Sequence, residues 1–258
     1  MPSKIDLLCK FYNTIDTSRI KIETKKYGLS YMRKLKSAAE LNYCTCKKDV
    51  YKYRLSGLSR ELFMDFLDRH LKKELNLCVY FNSEKNSLFA FNLDSHGEDE
   101  SSLKVYALYL FKTLFDLGID PLIIKSGHGY HFWCRISEPV GNSKLLRFAD
   151  AVSDKALHIS EQKGLNVDIL RCTRYPRINT GDISIRLFGT KHMYTGEFSD
   201  IVTRIDIEDT VLGENESWQF FEWYLKECRV PLTVFNKAYE RAVRYSNPLT
   251  ARHGNAIT

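Results

Sequence analysis

Apolar side chains recur at helical spacing in three stretches of the chain, and each stretch also carries an end signal. The first follows a capping Ser59 in SRELFMDFLDRHLKKEL, the second, SLKVYALYLFKTLFDLG, ends at Gly118, and the third, SKLLRFADAVSDKALHISEQKG, ends at Gly164. Two more helical patterns, SWQFFEWYLKEC and LTVFNKAYERAVRY, lie beyond about residue 205. The pattern therefore predicts three helices in the middle of the chain and a helical C-terminal part.

Short apolar runs bounded by polar turns predict strands between these helices. LCVYF and LFAFNLD are joined by the turn NSEKNS, and Leu122–Lys125 and Tyr130–Ile136 form a predicted hairpin. LNVDIL and ISIRLFG are two further strand candidates. Strands that alternate with helices favour an α/β or α+β sheet domain. Residues 1–55 have mixed periodicity and predict no clear element.

Composition and charge limit the classes of protein to which the chain can belong. The chain has 258 residues and a net charge of +6, which permits nucleotides or nucleic acid as partners without requiring them. Its seven cysteines show no disulfide framework, and its N-terminus has no signal-peptide pattern. No apolar run reaches the roughly 20 residues of a membrane span. We therefore expect a cytoplasmic protein without a membrane partner.

The strand LFAFNLD places two oxygen-bearing side chains on one face. Side chains alternate along a strand, so Phe89, Phe91 and Leu93 share one face, and Asn92 and Asp94 share the other. Two oxygen ligands in this arrangement can hold a hard cation such as Mg²⁺ or Mn²⁺. A solvent-facing strand end that runs into a polar turn is the other interpretation, and this segment alone favours it.

The hairpin turn SGHGYH combines a permissive backbone with polar side chains. Gly127 and Gly129 can adopt positive φ and let a ligand approach the backbone, and Ser126 and His131 lie on either side of them. Turn amides together with a hydroxyl and an imidazole predict a phosphate cradle. A hairpin that merely needs glycine, with a surface histidine beside it, explains the segment equally well.

Three more polar positions follow in or beside predicted strands. Asp168 is a single carboxylate within LNVDIL, where burial without a partner is costly, so we expect a metal or an arginine beside it. Arg186 and Lys191 in ISIRLFGTK are candidates for holding phosphates, or else they are surface residues in salt bridges.

The segment RCTRYPR mixes cations with an aromatic residue, as single-strand binding surfaces do. Its candidates for a DNA contact are Arg171, Arg174, Tyr175 and Arg177. A solvated loop is the other interpretation of the segment, and it is the favoured one.

The order of these motifs resembles the archaeo-eukaryotic primase superfamily, in particular its small primase-polymerase members. A carboxylate strand, an S-G-x-G-x-H turn, a lone aspartate on a strand and R-L-x-G-T follow one another between about Leu58 and Gly196. The lead-in LSRELFMDFLDRHL and LNLCVYF is similar to the helix and strand that those proteins place before the metal strand. No P-loop, nucleophile elbow or G-x-G-x-x-G competes for the chain.

The resemblance implies an α+β fold, with an RRM-like primase-polymerase catalytic sheet flanked by helices and a helical C-terminal appendage. It also implies a template-dependent nucleotidyltransferase that uses two divalent cations, Mg²⁺ or Mn²⁺. The implied metal ligands are Asp94, Asp168 and, at the family's first position, Asn92. Ser126 and His131 are implied to hold the triphosphate of a dNTP or NTP, with Gly127 and Gly129 shaping the turn of this nucleotide site. Arg186 is implied to be a further phosphate or template contact. The implied catalytic residues are Asp94, Asp168 and His131.

On this basis the chain divides into three parts. Residues 1–55 form an N-terminal segment that packs on the core, 56–204 form the catalytic core, and 205–258 form the helical appendage. The expected partners are a single-stranded DNA template, dNTP or NTP substrates, and proteins of replication or of a mobile element.

Asn92 departs from the family pattern, which has D-x-D or D-x-E on the first strand. Its neutral amide removes one negative charge beside two divalent ions, and affinity for such ions depends on ligand charge. Three explanations stay open. Asn92 is a laboratory substitution, a natural variant rescued by His96, Glu98 or Asp99, or the mark of a module that binds nucleotide or DNA without catalysis.

Overall fold

The computed structural model has an α+β architecture of two antiparallel sheets and surrounding helices. It describes residues 2–25, 39–47, 49–94, 100–127, 129–165, 171–176, 184–205 and 209–253. The six helices in these ranges are α1 (Lys4–Phe11), α2 (Arg60–Leu71), α3 (Glu100–Asp116), α4 (Asn142–Gln162), α5 (Glu214–Glu227) and α6 (Leu232–His253). Over the described part of the chain, none of them combines the length and apolar content that a bilayer crossing needs.

The larger sheet has five strands. They are β1 (Ile15–Thr24), β2 (Glu40–Lys47), β3 (Val50–Ser56), β4 (Asn76–Phe81) and β9 (Ile185–Arg186). Their order is β2-β3-β1-β4-β9, and every pairing is antiparallel. The predicted boundary at residue 55 therefore falls inside one sheet, because β1 lies between β3 and β4.

The smaller sheet has four strands. They are β5 (Lys85–Asp94), β6 (Leu122–Lys125), β7 (Gly129–Gly141) and β8 (Arg171–Tyr175), in the order β6-β7-β5-β8. A short antiparallel ribbon of β10 (Val202–Arg204) and β11 (Thr210–Val211) follows later in the chain. The predicted hairpin is confirmed as β6 and β7, with β7 extending beyond the predicted end. Most of the predicted strand LNVDIL, residues 166–170, lies outside the described residues.

Helix ends occur where the sequence signals predict them. The Ser59 hydroxyl accepts a hydrogen bond from the Leu62 N–H at the start of α2, which satisfies one of the free amides of the first turn. Gly118 and Gly164, just beyond α3 and α4, have φ of 77° and 81°. Such left-handed backbone favours glycine at a helix end. The two C-terminal helices, α5 and α6, are confirmed as well.

Two apolar cores divide the side chains of the smaller sheet between them. On β5, Phe89 and Phe91 belong to a core shared with α3, α4 and α6, whereas Leu88 and Ala90 belong to a core shared with the larger sheet and helices α1, α2 and α5. The residues of β5 alternate between these cores because successive strand side chains point to opposite faces. Trp133 of β7 joins the second of these cores.

His70 connects α2 to β4 and to the segment that follows β9 in the larger sheet. Its ring is fully buried, its Nδ1 accepts a hydrogen bond from the Leu77 N–H at 3.0 Å, and its Nε2 donates to the Phe188 carbonyl at 3.0 Å. Burial lowers the pKa of His70 to about 4, and the nearby Arg186 acts in the same direction. The imidazole is therefore neutral near pH 7, since only that form accepts at one nitrogen and donates at the other.

We predict that acid destabilises the protein through His70. The unfolded chain binds a proton on this side chain near pH 6.5 and the folded chain near pH 4, so its contribution is complete above pH 6.5 and is lost as the pH falls toward 4. Between pH 7 and pH 5 the wild type should therefore lose about 2 kcal/mol of unfolding free energy more than His70→Gln. Urea denaturation at the two pH values measures both losses.

A matched control is His158→Gln, which replaces a partly exposed histidine on α4. This variant should keep the wild-type pH dependence. Equal losses in the wild type and in His70→Gln would contradict the role assigned to His70.

Candidate functional site

A cleft with a volume of about 730 Å³ lies between polar side chains of the two sheets. Five of the residues predicted from the sequence line it together: Asn92, Asp94, Ser126, His131 and Arg186. They come from β5, from the turn and second strand of the β6–β7 hairpin, and from β9. The tertiary structure thus brings three separate sequence motifs to one cavity of a size typical of ligand sites.

Strand β5 carries its polar residues into the cleft by simple alternation. The face that bears Leu88 and Ala90 in the apolar core continues along the strand with Asn92 and Asp94. Both polar side chains are partly exposed. The strand therefore changes along one face from a packing surface into a lining of the cleft, as the sequence pattern predicts.

The pairing of β5 with β7 sets the neighbours of these residues. Asn92 lies opposite His131, and Asp94 lies opposite Gly129. The Ser126 N–H donates to the Gly129 carbonyl at 2.8 Å, which closes the turn between β6 and β7. The histidine and the oxygen-bearing side chains are consequently held next to each other by backbone hydrogen bonds.

The two glycines of the turn make room for protein atoms. A Cβ on Gly129 would lie 1.9 Å from the Leu93 carbonyl oxygen, and a Cβ on Gly127 would lie 2.9 Å from the His192 ring. Gly127 also has a φ of 75°. The structure gives both glycines close protein neighbours, β5 and His192, and the expectation that they let a ligand approach the backbone stays a prediction.

His131 is buried and electrically neutral near pH 7. Burial, followed by the nearby Arg186 and His192, holds its pKa well below 6.5. A neutral imidazole still has one N–H donor, and an anion entering the cleft would favour the protonated form by offsetting the positive charge of Arg186. On the same face of β7, Arg135 donates from Nη1 to the Leu225 carbonyl at 2.9 Å and has a structural role.

Arg186 is a buried cation on the wall formed by the larger sheet. Only 9% of the residue is exposed, and its Nε has no hydrogen-bond partner among the described residues. Burial lowers the pKa of its guanidinium, while Cys78 and Glu23 act in the opposite direction. An unpartnered buried donor costs free energy unless something binds it, so this side chain is suited to holding an anion.

Residues that the sequence interpretation missed complete the same wall. Lys21 and Lys52 both pair with Glu23, at 3.1 Å and 3.3 Å. Burial alone would raise the pKa of Glu23, but the two lysines lower it to about 2. The alternation of Ile20 and Ile22 with Lys21 and Glu23 was the available signal, because it predicts a strand with one charged face.

The loop after β9 supplies two more missed residues, His192 and Tyr194. Thr195 donates its N–H to Nδ1 of His192 at 3.2 Å, so Nε2 carries the proton when this ring is neutral. The rings of His192 and Tyr194 lie 5.7 Å apart. Neither residue has a distinguishing sequence pattern, and only the folding of the loop against Gly127 brings them to the cleft.

Several predicted residues lie elsewhere. Lys191 is exposed and does not line the cleft. Tyr175 is 2% exposed and stacks on Phe81, and Arg174 pairs with Asp150 of α4 at 2.5 Å. Tyr175 is packed in the apolar core shared with the larger sheet, so the predicted DNA contact is wrong for this residue. The contact predicted for Arg174, whose side chain is partly exposed in its ion pair, stays a prediction.

Three other predicted positions give no side-chain geometry. The Arg171 backbone pairs with Asp94 at the end of β8. Asp168 and Arg177 lie outside the described residues, as do the rescue candidates His96, Glu98 and Asp99. Their roles stay predictions.

The described residues supply only part of a metal site. Asn92 and Asp94 offer an amide oxygen and a carboxylate on one face of β5, and oxygen donors of this kind suit Mg²⁺ or Mn²⁺. Glu23 is already paired with two lysines. Over the described ranges, no three acidic, histidine or cysteine side chains gather closely enough to hold an ion. A two-metal site therefore needs ligands from beyond these ranges, such as Asp168.

Comparisons with known proteins leave the family open. No family model matches this chain, and no curated protein matches it. One solved structure similar to it is the polymerase domain from Mycobacterium tuberculosis Ligase D in complex with DNA, with 13% sequence identity and a TM-score of 0.42 over 98% of this chain and 88% of that chain. A likeness at this level carries no functional argument, and the interpretation of the cleft depends on its own residues.

We predict that Gly129 is required for the contact between β5 and β7. Gly129→Ala should lower the free energy of unfolding by about 3 kcal/mol, because a Cβ placed 1.9 Å from the Leu93 oxygen must push the strands apart. Gly141→Ala is the control, since a Cβ there meets no atom within 4 Å, and it should cost less than about 1 kcal/mol. Urea denaturation compares the two, and an unchanged Gly129→Ala would contradict the close strand approach.

Proposed function

We propose that this chain is a nucleotidyltransferase of the primase-polymerase type, which joins nucleotides on a single-stranded DNA template. The observation that carries the proposal is the gathering of Asn92, Asp94, Ser126, His131 and Arg186 in one cleft. These residues come from three segments that are distant in sequence, and the resemblance to primase-polymerases implies a role in binding metal or phosphate for each of them. The proposal treats the cleft as the site of the incoming nucleotide.

The charge of the cleft supports an anionic ligand. Its described lining has four cationic side chains, Lys21, Lys25, Lys52 and Arg186, and two carboxylates, Glu23 and Asp94. The cations lie mainly on the larger sheet, whereas Asp94 lies on the smaller sheet beside His131 and Ser126. A triphosphate bound against Arg186, with its transferring end toward Asp94, would give the unpartnered Nε of Arg186 a hydrogen-bond acceptor.

The residues that would hold the divalent cations are Asp94, Asp168 and, through its amide oxygen, Asn92. When bound, these ions lower the pKa of the attacking hydroxyl and stabilise charge on the phosphates. The protein's own part is positioning: Arg186 and the Ser126 hydroxyl orient the phosphates. His131 donates an N–H to them, and its protonation on phosphate binding adds positive charge.

Asn92 favours a second candidate function, a module of the same fold that binds nucleotide or DNA without catalysis in replication initiation or defence. Asn92 lines the cleft and lies opposite His131. Its neutral amide therefore lowers the negative charge at the place where a cation would bind. In that case the cleft would keep its affinity for nucleotides while metal-dependent transfer would be absent.

Nucleotide incorporation on a primed and an unprimed single-stranded DNA template, with Mn²⁺ and labelled dNTPs or NTPs, tests the first proposal. We expect incorporation by the wild type and a rate reduced by about a hundredfold or more in Asp94→Asn, because a charged metal ligand is removed. Asn92→Asp should lower the Mn²⁺ concentration needed for half-maximal rate by about tenfold. Full activity of Asp94→Asn would overturn the assignment of the cleft.

The control is Asp65→Asn, which removes an exposed carboxylate paired with Arg69 on α2 and should leave the rate unchanged. Activity in Asn92→Asp alone would identify a disabled copy of an active enzyme. If both proteins are inactive but the wild type binds nucleotides, the second candidate function is supported.

A further inference from the structure

The wall of the cleft on the larger sheet carries three lysines in addition to Arg186. Lys21 lies in β1, and Lys25 is the first residue after β1. Lys52 lies in β3, directly opposite Glu23 in the strand register. These three lysines face a single carboxylate, Glu23, in this part of the lining. We call Lys21, Lys25, Lys52 and Tyr194 the lysine wall.

The ion pairs of the lysine wall leave charge for a ligand. Lys21 and Lys52 share Glu23 at 3.1 Å and 3.3 Å, and their side chains remain 25% and 31% exposed. One carboxylate neutralises one of the two ammonium groups, and Lys25 adds a further exposed positive charge. A purely structural ion pair would need only one lysine, so the surplus indicates a polyanionic partner.

An aromatic ring lies within this charged surface. The Lys52 ammonium lies 5.4 Å from the centre of the Tyr194 ring, and Tyr194 is partly exposed in the cleft. Cationic side chains that follow a phosphate backbone, together with aromatic rings on which bases stack, are the features of single-strand binding surfaces. The buried Arg186, to which the proposed function assigns the phosphates of the nucleotide, adjoins the lysine wall in the same cleft.

The sequence that continues from Lys25 has the same character. Residues 25–38, KKYGLSYMRKLKSA, contain five basic residues, two tyrosines and no acidic residue. In the other candidate surface, RCTRYPR, Tyr175 is buried in the core and Arg174 pairs with Asp150. Among the described residues, the lysine wall has the chemistry that a surface for a nucleic acid strand requires.

We infer that the lysine wall binds the backbone and bases of a single-stranded polynucleotide, apart from the positions that bind the nucleotide. This inference rests on the proposed function for the use of the strand as a template. Of the residues assigned to the nucleotide, Ser126, His131 and Asp94 belong to the smaller sheet and its turn, and Arg186 lies on the edge strand β9 of the larger sheet. The lysine wall lies on β1, β3 and the loop after β9. A template strand on the lysine wall would face a nucleotide on the opposite side.

Fluorescence anisotropy of a labelled oligo-dT, titrated at several salt concentrations, tests the inference. The double variant Lys25→Gln/Lys52→Gln keeps the Lys21–Glu23 pair, so that the buried carboxylate retains a partner. Its slope of log affinity against log salt concentration should be smaller in magnitude by about 1.4, since each phosphate contact on single strands contributes about 0.7. Tyr194→Leu should weaken binding by about tenfold with an unchanged slope.

Lys72→Gln/Lys226→Gln is the matched control, because it also removes two lysines that pair with carboxylates, Asp68 and Glu222, on helices away from the cleft. It should bind oligo-dT like the wild type, and thermal unfolding of all variants checks folding. Equal affinity and slope in the lysine-wall variants and the control, or no oligo-dT binding by the wild type, would overturn the inference.

Nucleotide binding and incorporation, measured on the same proteins, separate the two proposals. Retained dNTP affinity in Lys25→Gln/Lys52→Gln with lost oligo-dT affinity supports a separate strand surface. Loss of both affinities together would overturn the separation of the two sites. Oligo-dT binding that depends on the lysine wall in a protein without incorporation activity would support the inference while the proposed enzymatic function fails.

Discussion

The close contact between β5 and β7 at Gly129 is the constraint on which the candidate site depends. The absent side chain lets the two backbones approach, so that Asp94 pairs with Gly129 and Asn92 pairs with His131. With this register, the oxygen-bearing residues and the histidine share one face and point away from α3, α4 and α6. A slip of one residue would turn each of them toward the opposite face, into the apolar core shared with α3, α4 and α6.

A second constraint acts from the larger sheet. His70 of α2 holds the Leu77 N–H and the Phe188 carbonyl through the two nitrogens of one buried ring. Leu77 lies in β4 and Phe188 follows β9, the strand that pairs with β4 and carries Arg186. The neutral imidazole therefore supports the position of a cationic side chain whose own burial is costly. The packing of α2 on β4 and β9 therefore also holds the charged wall of the cleft in place.

The cleft combines two chemical environments because its walls belong to different sheets. The smaller sheet presents Asn92, Asp94, Ser126 and His131, which are suited to a cation and to phosphates. The larger sheet and the following loop present the lysine wall and Arg186. Such a division allows two anionic ligands to bind side by side, provided that cations compensate their mutual repulsion. Asn92 offers such cations an oxygen ligand without a negative charge, so the binding of the compensating cations is weakest at this position.

The sequence by itself determined the strands and helices with strong periodicity, the helix ends at Ser59, Gly118 and Gly164, and five of the residues that line the cleft. These properties are local, since alternation and end signals depend on near neighbours. Only the tertiary structure decided that β1 and β3 complete the cleft and that Tyr175 is buried. It also decided that Gly127 accommodates His192. Each of these depends on contacts between distant segments, and a short stretch of sequence does not encode which distant segment will lie against it.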